Sequence, residues 1–403
     1  MRILFICHRF PFPPNRGGKI RPFHMIEHLS RRHTVVVGSL AHSEQELEAG
    51  AGLRKHCAEV IAEVVPSSIR WIRAAMALPT PAPSSLRYFW SPRLYHRLQE
   101  AWRKDRFDAV MVHCAFMAPY AMALPGGFHI LDYGDMDSAK WFDYARFRQF
   151  PLSLGYALEA RKLRRVETEA ARKFDRCTVT TQGEWEEFQT MGVSVPCAVI
   201  PNGVDGSYFR PRASELPDSR VIAFQGRMDY FPNVDGITDF ARSVFPKIRQ
   251  SEPRAELRII GSDPVKQVRD LAQLPGVTVT GYVPDVRPYL EDAAVSVAPL
   301  RIARGTQNKI LQCMAMGIPV VSSPEAARGI QAEPGKHLWV ARGHDEMARN
   351  VVELLQNVEL RGSLAEAGRL QVEESHRWSS SLKILDSIFE EECLSTPANP
   401  SGA

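Results

Sequence analysis

The sequence predicts an α/β protein made of two doubly wound parallel-sheet domains. Short, mostly apolar runs such as Ile3–Cys7, Phe107–His113 and Val295–Pro299 alternate with helical stretches along the chain. That is the pattern of strands buried on both faces by crossover helices. The alternation stops at a polar, proline-containing stretch over residues 210–219 and restarts at Val221–Phe224, as it would across a linker. A chain of 403 residues also exceeds what one ordinary domain holds. The expected division is a first domain over 1–200, a linker over 201–219 and a second domain over 220–375. A last amphipathic helix over 376–393 is expected to pack back on the first domain, and 394–403 to be a disordered tail.

Composition narrows the function classes. Hydrophobic residues make up 44% and charged residues 24%, values typical of a soluble globular protein. No apolar run approaches the roughly 20 residues of a membrane span. The opening Met-Arg-Ile-Leu-Phe-Ile-Cys-His reads as a first strand, too short in its apolar part for a secretory leader. Seven cysteines are scattered without a C-x-x-C pair, which fits a reducing cytoplasm and argues against a disulfide framework or a zinc site. Net charge is +4, and with no recognised module pattern it implies no nucleic-acid partner. Residues 70–106 carry eight Lys/Arg against two Asp/Glu, interleaved with Trp71, Tyr88, Phe89, Trp90, Tyr95 and Trp102. This mixture suits either an anionic membrane surface, with the protein peripheral on the inner face, or a solvated helical hairpin with inward aromatics.

In the first domain, Ile3–Cys7 leads through a proline-rich loop to Gly17-Gly18 and a helix, then to strand Thr34–Ser39. Paired glycines let backbone approach a ligand closely, or merely shape the turn. Strands Phe107–His113 and Phe128–Asp132 follow. Ligands of doubly wound sheets sit beyond strand carboxyl ends, so His113, Asp132, Asp135 and Asp137 are candidates by position, His113 equally as a buried structural histidine. Asp135-Met-Asp137 also spells D-x-D, a triplet too short to carry a metal site by itself. Tyr156–Lys173 reads as a long charged helix.

In the second domain, Gly226-Arg227 ends a strand, and Arg227 can fork onto a phosphate. A helix is expected over 236–250. The central stretch is Arg301–Ser323, read as loop, helix, tight stop and strand. Gly305 supplies a flexible approach and Thr306 a good N-cap, which places Lys309 third in the helix, beside amides that lack intrahelical partners. A lysine there makes an anion site. Gly317 ends the helix, and Pro319 keeps it from resuming. Arg227 and Lys309, both at strand carboxyl ends, point together to a diphosphate.

These residues carry a resemblance. Arg16-Gly-Gly18, Val199-Ile-Pro-Asn-Gly-Val-Asp205 with Phe209 and Pro211, Gly226-Arg227 and Gln312-Cys-Met-Ala-Met-Gly-Ile-Pro-Val-Val321 resemble the landmarks of family 4 glycosyltransferases of the GT-B fold. L-D-Y-G-D-M-D-S-A-K-W, M-D-Y-F-P-N-V-D and G-T-Q-N-K-I-L are similar to the sugar transferases of PEP-CTERM/exosortase exopolysaccharide clusters. The resemblance implies two Rossmann-like domains facing a cleft, with the nucleotide-sugar donor in the C-terminal one and a saccharide or lipid-linked saccharide acceptor mostly in the N-terminal one. It implies transfer to a hydroxyl with retention, without a bound metal or cofactor. Arg227 and Lys309 with the amides of Thr306 and Gln307 would stabilise the departing diphosphate. Gly17, Gly18, Gly226, Arg304, Gly305 and Gln312 would line the donor, and Asp135 or His113 would serve the acceptor.

The chain departs from the family where two glutamates usually stand eight positions apart, one on the donor sugar and one on the ribose. Those positions are Arg304 and Gln312. The usual lysine after Gly-Arg is also missing, with Asn233 or a neighbour in its place, and Lys309 is a candidate substitute. Two other readings stand beside transfer: a nucleotide-sugar epimerase of the same fold, and a silent nucleotide-sugar-binding subunit.

Overall fold

The computed structural model describes residues 1–211 and 219–395. The middle of the expected linker, 212–218, and residues 396–403 of the expected tail lie outside the described residues. The chain forms two compact units, Met1–Ile200 with Leu382–Ala403, and Pro201–Ser381.

The first unit holds a seven-stranded sheet in the order β3-β2-β1-β4-β5-β6-β7. The strands are β1 (Arg2–Cys7), β2 (Thr34–Ala41), β3 (Glu59–Val64), β4 (Ala109–His113), β5 (Phe128–Gly134), β6 (Arg176–Val179) and β7 (Cys197–Val199). All pairings are parallel. β1 and β4 are buried throughout or nearly so, which is why their sequences are unbroken apolar runs rather than alternating ones. Strand order reverses direction between β1 and β4, so His8 and His113 end up side by side at a topological switch point. His28 on the Gly17–Leu29 helix bonds Asp386 of the Lys383–Ser395 helix at 2.8 Å.

The second unit repeats the plan with six strands, β10-β9-β8-β11-β12-β13. They are β8 (Val221–Gln225), β9 (Glu256–Ile260), β10 (Val277–Val279), β11 (Ala293–Ala298), β12 (Val320–Ser322) and β13 (Trp339–Val340), again all parallel. Its switch point lies between β8 and β11, which brings Gly226-Arg227 and the loop after Ala298 together.

Several elements differ from the sequence reading. The helix expected over 236–250 begins at Phe231, where Pro232 fits the first turn, and passes through a five-residue π turn at Phe240–Val244. Asn233 is therefore helical. The stretch read as one last helix is two, Trp378–Ser381 and Lys383–Ser395. A helix over Asp137–Arg146 had not been expected, and the long helix after it starts at Leu152 rather than Tyr156. Within residues 70–106 the aromatics mostly turn inward. Trp102 stacks on Phe107 at 5.3 Å, and Trp90 packs on Tyr95 and Tyr120. Of the six aromatic residues, only Trp71 is broadly exposed.

The Asn-Gly-Val-Asp turn that helps mark the family is a packing device. A Cβ on Gly203 would lie 2.5 Å from the Trp378 amide nitrogen, so only glycine fits. The Val204 amide donates to the His376 carbonyl at 2.7 Å, and His376 Nδ1 bonds the Asn202 carbonyl at 3.0 Å.

Candidate functional site

In the second unit the site grows from the ends of β8 and β11. Gly226 follows β8, and a Cβ there would lie 2.6 Å from Asn233 Nδ2 and 3.2 Å from Lys309 Nζ. A side chain at 226 would thus displace the cation itself. Lys309 Nζ donates to Asn233 Oδ1 at 2.5 Å and lies 4.5 Å above the Phe224 ring. Asn233 Nδ2 in turn donates to the Arg227 carbonyl at 2.9 Å. Lys309 as a residue is partly exposed, but its ammonium is sunk among these groups, and burial pulls its pKa down to about 7. No carboxylate pairs with it among the described residues. Asn233, one of the residues standing where the family's lysine is missing, thus receives the ammonium of a lysine on another helix.

Arg227 sits at the same strand end, folded onto Asp229 and 3.4 Å from Asp263. A phosphate would draw its guanidinium from these acids in exchange. Gln225 Nε2 donates to Gln312 Oε1 at 3.2 Å, so the oxygen expected to meet a ribose hydroxyl already accepts one bond.

The expected N-cap is corrected. The helix runs Asn308–Ala315 with Gln307 as its cap residue and no side-chain cap bond, which makes Lys309 the second helical residue. The cause is Gly305, whose φ of +62° turns the loop before Thr306 and delays the helix. Gln307 Nε2 donates to the Arg304 carbonyl at 3.0 Å instead of capping. The Thr306 hydroxyl is left buried with no hydrogen-bond partner, a polar atom at the mouth of the loop that a ligand oxygen would satisfy. Of the residues from Arg304 to Lys309, Lys309 is the one that reaches Gly226, while the Gly305–Thr306 backbone lies against Gly329.

The first unit gathers a different constellation. His113 Nδ1 bonds Asp132 Oδ2 at 2.7 Å. The same carboxylate accepts Arg21 through Nε at 2.9 Å and Nη2 at 2.7 Å, and Thr178 Oγ1 at 2.7 Å. Asp132 is fully buried. Burial alone would raise its pKa, but the Arg21 guanidinium and the His113 bond outweigh it and hold the carboxyl well below the usual range. A carboxylate only accepts, so His113 Nδ1 carries the proton of this bond. His8 stacks on His113 at 5.7 Å, and burial, then Arg9, holds its pKa well below the usual value.

Asp135 and Asp137 diverge. Asp135 accepts the Thr180 hydroxyl at 3.1 Å, whereas Asp137 is buried near the Cys114 thiol and has its pKa raised by that burial. Their loop is clamped by two acids: Glu184 accepts the Met136 amide at 2.6 Å and Glu167 the Ser138 amide at 3.0 Å. Gly17 and Gly18 open the Gly17–Leu29 helix, and a Cβ at Gly18 would press on Arg9 at 3.1 Å. His8, Arg21, Gln225 and Asn233 are site residues the sequence reading missed or left without this role. Arg21 had one visible signal, a charge on the inward stripe of the helix.

The comparisons agree with these two units. Residues 16–208 match the model described as Glycosyltransferase Family 4, and residues 219–357 the one described as Glycosyl transferases group 1. No curated protein matches in sequence. Among solved structures the chain is similar to a sucrose-phosphate synthase from Thermosynechococcus elongatus (TM-score 0.72, 16% identity, covering 98% of this chain and 100% of that one). It is also similar to Anabaena Alr3699/HepE in complex with UDP and glucose (TM-score 0.70, 13% identity, 97% and 100% covered). A putative UDP-N-acetylglucosamine 2-epimerase from Listeria monocytogenes aligns less well (TM-score 0.57, 14% identity, 99% and 98% covered). With a Family 4 domain ahead of a group 1 domain, each on its own doubly wound sheet, the chain belongs to the GT-B glycosyltransferases.

Proposed function

We propose that this protein is a retaining glycosyltransferase that moves a sugar from a nucleoside-diphosphate sugar to a hydroxyl of a saccharide or lipid-linked saccharide. Its place is the cytoplasmic side of exopolysaccharide or other cell-surface glycan assembly, as the PEP-CTERM-like motifs suggest. The observation that carries the reading is Lys309, a sunk ammonium without a carboxylate, held against Gly226 beside Arg227. In the reaction the bond from the anomeric carbon to the diphosphate oxygen breaks, and the acceptor oxygen bonds that carbon on the same face. The acceptor proton passes to the leaving phosphate, so no enzyme carboxylate is required. Negative charge grows on the diphosphate, and a preorganised ammonium, a guanidinium and the amides of Thr306 and Gln307 just ahead of the helix stabilise it without a metal. His113, turned by Asp132 to present Nε2, and Asp135 serve the acceptor side.

The test is turnover with a panel of UDP-, GDP- and ADP-sugars, followed by the anomeric configuration of the product. Transfer with retention from one donor supports the reading, and an inverted product overturns it. Nucleotide binding without turnover favours the silent subunit, a reading that Arg304 and Gln312 in place of glutamates keep alive. Interconversion of a free nucleotide sugar instead favours an epimerase.

A further inference from the structure

The first unit carries an apolar face that its own fold leaves uncovered. On the Ser67–Ala77 helix, Ile69, Ile72 and Met76 fall at i, i+3 and i+7 and are all exposed, Met76 by 71%, with Trp71 exposed by 66%. A second group, Phe150, Leu152, Leu154 and Leu158, lies at the start of the Leu152–Ala171 helix, with Phe150 exposed by 79%. The segments that carry the two groups are linked by hydrogen bonds. Lys162 Nζ donates to the Leu78 carbonyl at 2.9 Å, and Glu159 accepts the amides of Ser84 and Ser85 at 3.0 and 2.8 Å. The first bond ties the long helix to the end of the shorter one, and the others tie it to the Ser84–Tyr88 helix that follows. So many exposed apolar side chains in one region is more than scattered surface residues supply, and it marks an interaction surface.

Charge decides the partner. Residues 67–91 and 144–165 together hold nine Lys/Arg and one acid, Glu159. That acid is buried and bonded to backbone amides, so no acid in these two segments faces outward. Beside the apolar residues, the helices Asp137–Arg146 and Leu152–Ala171 enclose a shallow groove of about 430 Å³, lined by Phe142, Leu154 and Ala157 with Arg146 and Arg161. Apolar walls with two guanidiniums suit an acyl chain below a phosphate. Two of the cations pair with acids just outside these segments, Arg146 with Asp143 and Arg164 with Glu187, and Arg70 is buried, which still leaves an excess of positive charge on the face. Protruding aromatics and aliphatics among cations are what the acyl–headgroup boundary of an anionic bilayer takes up.

We propose that the face formed by Trp71, Ile72, Met76, Phe150 and Leu152 docks the protein onto an anionic lipid bilayer. It keeps Trp71, Ile72 and Met76 of the contact expected over residues 70–106, whose other aromatics are packed inside, and adds Phe150 and Leu152. The proposal deepens the reading of a lipid-linked acceptor, yet its test needs no substrate, so vesicle binding and sugar transfer can fail independently.

The test is flotation of the full chain with phosphatidylcholine vesicles, with and without phosphatidylglycerol. The wild type should float with the anionic vesicles and lose binding as salt rises. Trp71→Glu with Phe150→Glu should weaken binding at least about tenfold, since each removes a large apolar anchor. Arg161→Gln and Arg165→Gln should each cost about fivefold, on anionic vesicles only. Tyr282→Glu, at an exposed aromatic of the second unit, should bind as wild type does. Equal partition onto neutral and anionic vesicles overturns the proposal, as does undiminished flotation of the double variant. A dimer in sedimentation velocity that Trp71→Glu dissociates overturns it too, by giving the face to a second copy.

Discussion

The switch points of the two sheets hold buried charge in opposite conditions. In the first unit the Asp132 carboxylate meets Arg21, His113 and Thr178, and its bonding is nearly saturated. In the second, Lys309 has one amide oxygen and a ring face for company. Both are held by residues distant in sequence, 111 apart for Arg21–Asp132 and 76 for Asn233–Lys309. The difference separates two uses of a charge. A charge already paired orients its neighbours, here turning His113. A charge sunk without an opposite raises the free energy of the unliganded protein, and an arriving anion relieves that cost.

The largest expected effect tests the saturated side. Asp132→Asn strands the Arg21 guanidinium in the interior and should cost about 3–5 kcal/mol of unfolding free energy, read by urea denaturation. A loss under 1 kcal/mol would mean that Arg21 has another adequate partner. Next comes Lys309→Met, which on the contrasting side should leave stability equal or slightly higher. It should lower the transfer rate by about 10²–10³-fold. A variant that loses stability in step with activity would erase the contrast.

The pH dependence follows with its sign. A lysine lowered to about 7 in the fold is charged there only below that pH, whereas the unfolded chain keeps it charged up to about 10.4. Between these values the unfolded state holds more protons, so the burial penalty is full below pH 7 and fades as pH rises. The stability difference between Lys309→Met and wild type should narrow over that range. Affinity for a nucleoside diphosphate, with UDP as the probe, should fall about tenfold from pH 6 to pH 8 in wild type and stay flat in the variant, measured by calorimetry. The smallest effect is Gln312→Glu, which restores an acid at the family's ribose position. With Gln225 still donating to it, UDP affinity should rise by only about 0.5–1.5 kcal/mol. No change would place the ribose elsewhere.

The strands were legible because both faces of a parallel sheet are covered, which leaves a run such as Ile3–Cys7 nothing polar to alternate with. The position of Lys309 was legible to within a turn. Its cap was not, because Thr306 has the chemistry of an N-cap while the turn at Gly305 sets the backbone. Local propensity says what a residue can do, and the loop's closure chose Gln307. The Asp132–Arg21–His113 network was out of reach, since nothing near Arg21 in sequence announces a partner in β5. The aromatics of 70–106 could be counted but not aimed. Trp102 and Trp71 look equivalent in the chain, yet one stacks on Phe107 and the other stands in the open.

The depressed lysine has a chemical consequence as well as an electrostatic one. Near neutral pH about half of the Lys309 amines carry a lone pair, while surface lysines remain almost wholly protonated. An unprotonated amine is a nucleophile. An acylating reagent or an aldehyde offered briefly at pH 7 should therefore mark Lys309 ahead of more exposed lysines. A nucleoside diphosphate in the site should spare it, by returning the proton to the nitrogen and covering it. Peptide mapping after such labelling would report occupancy of the site without any knowledge of the sugar.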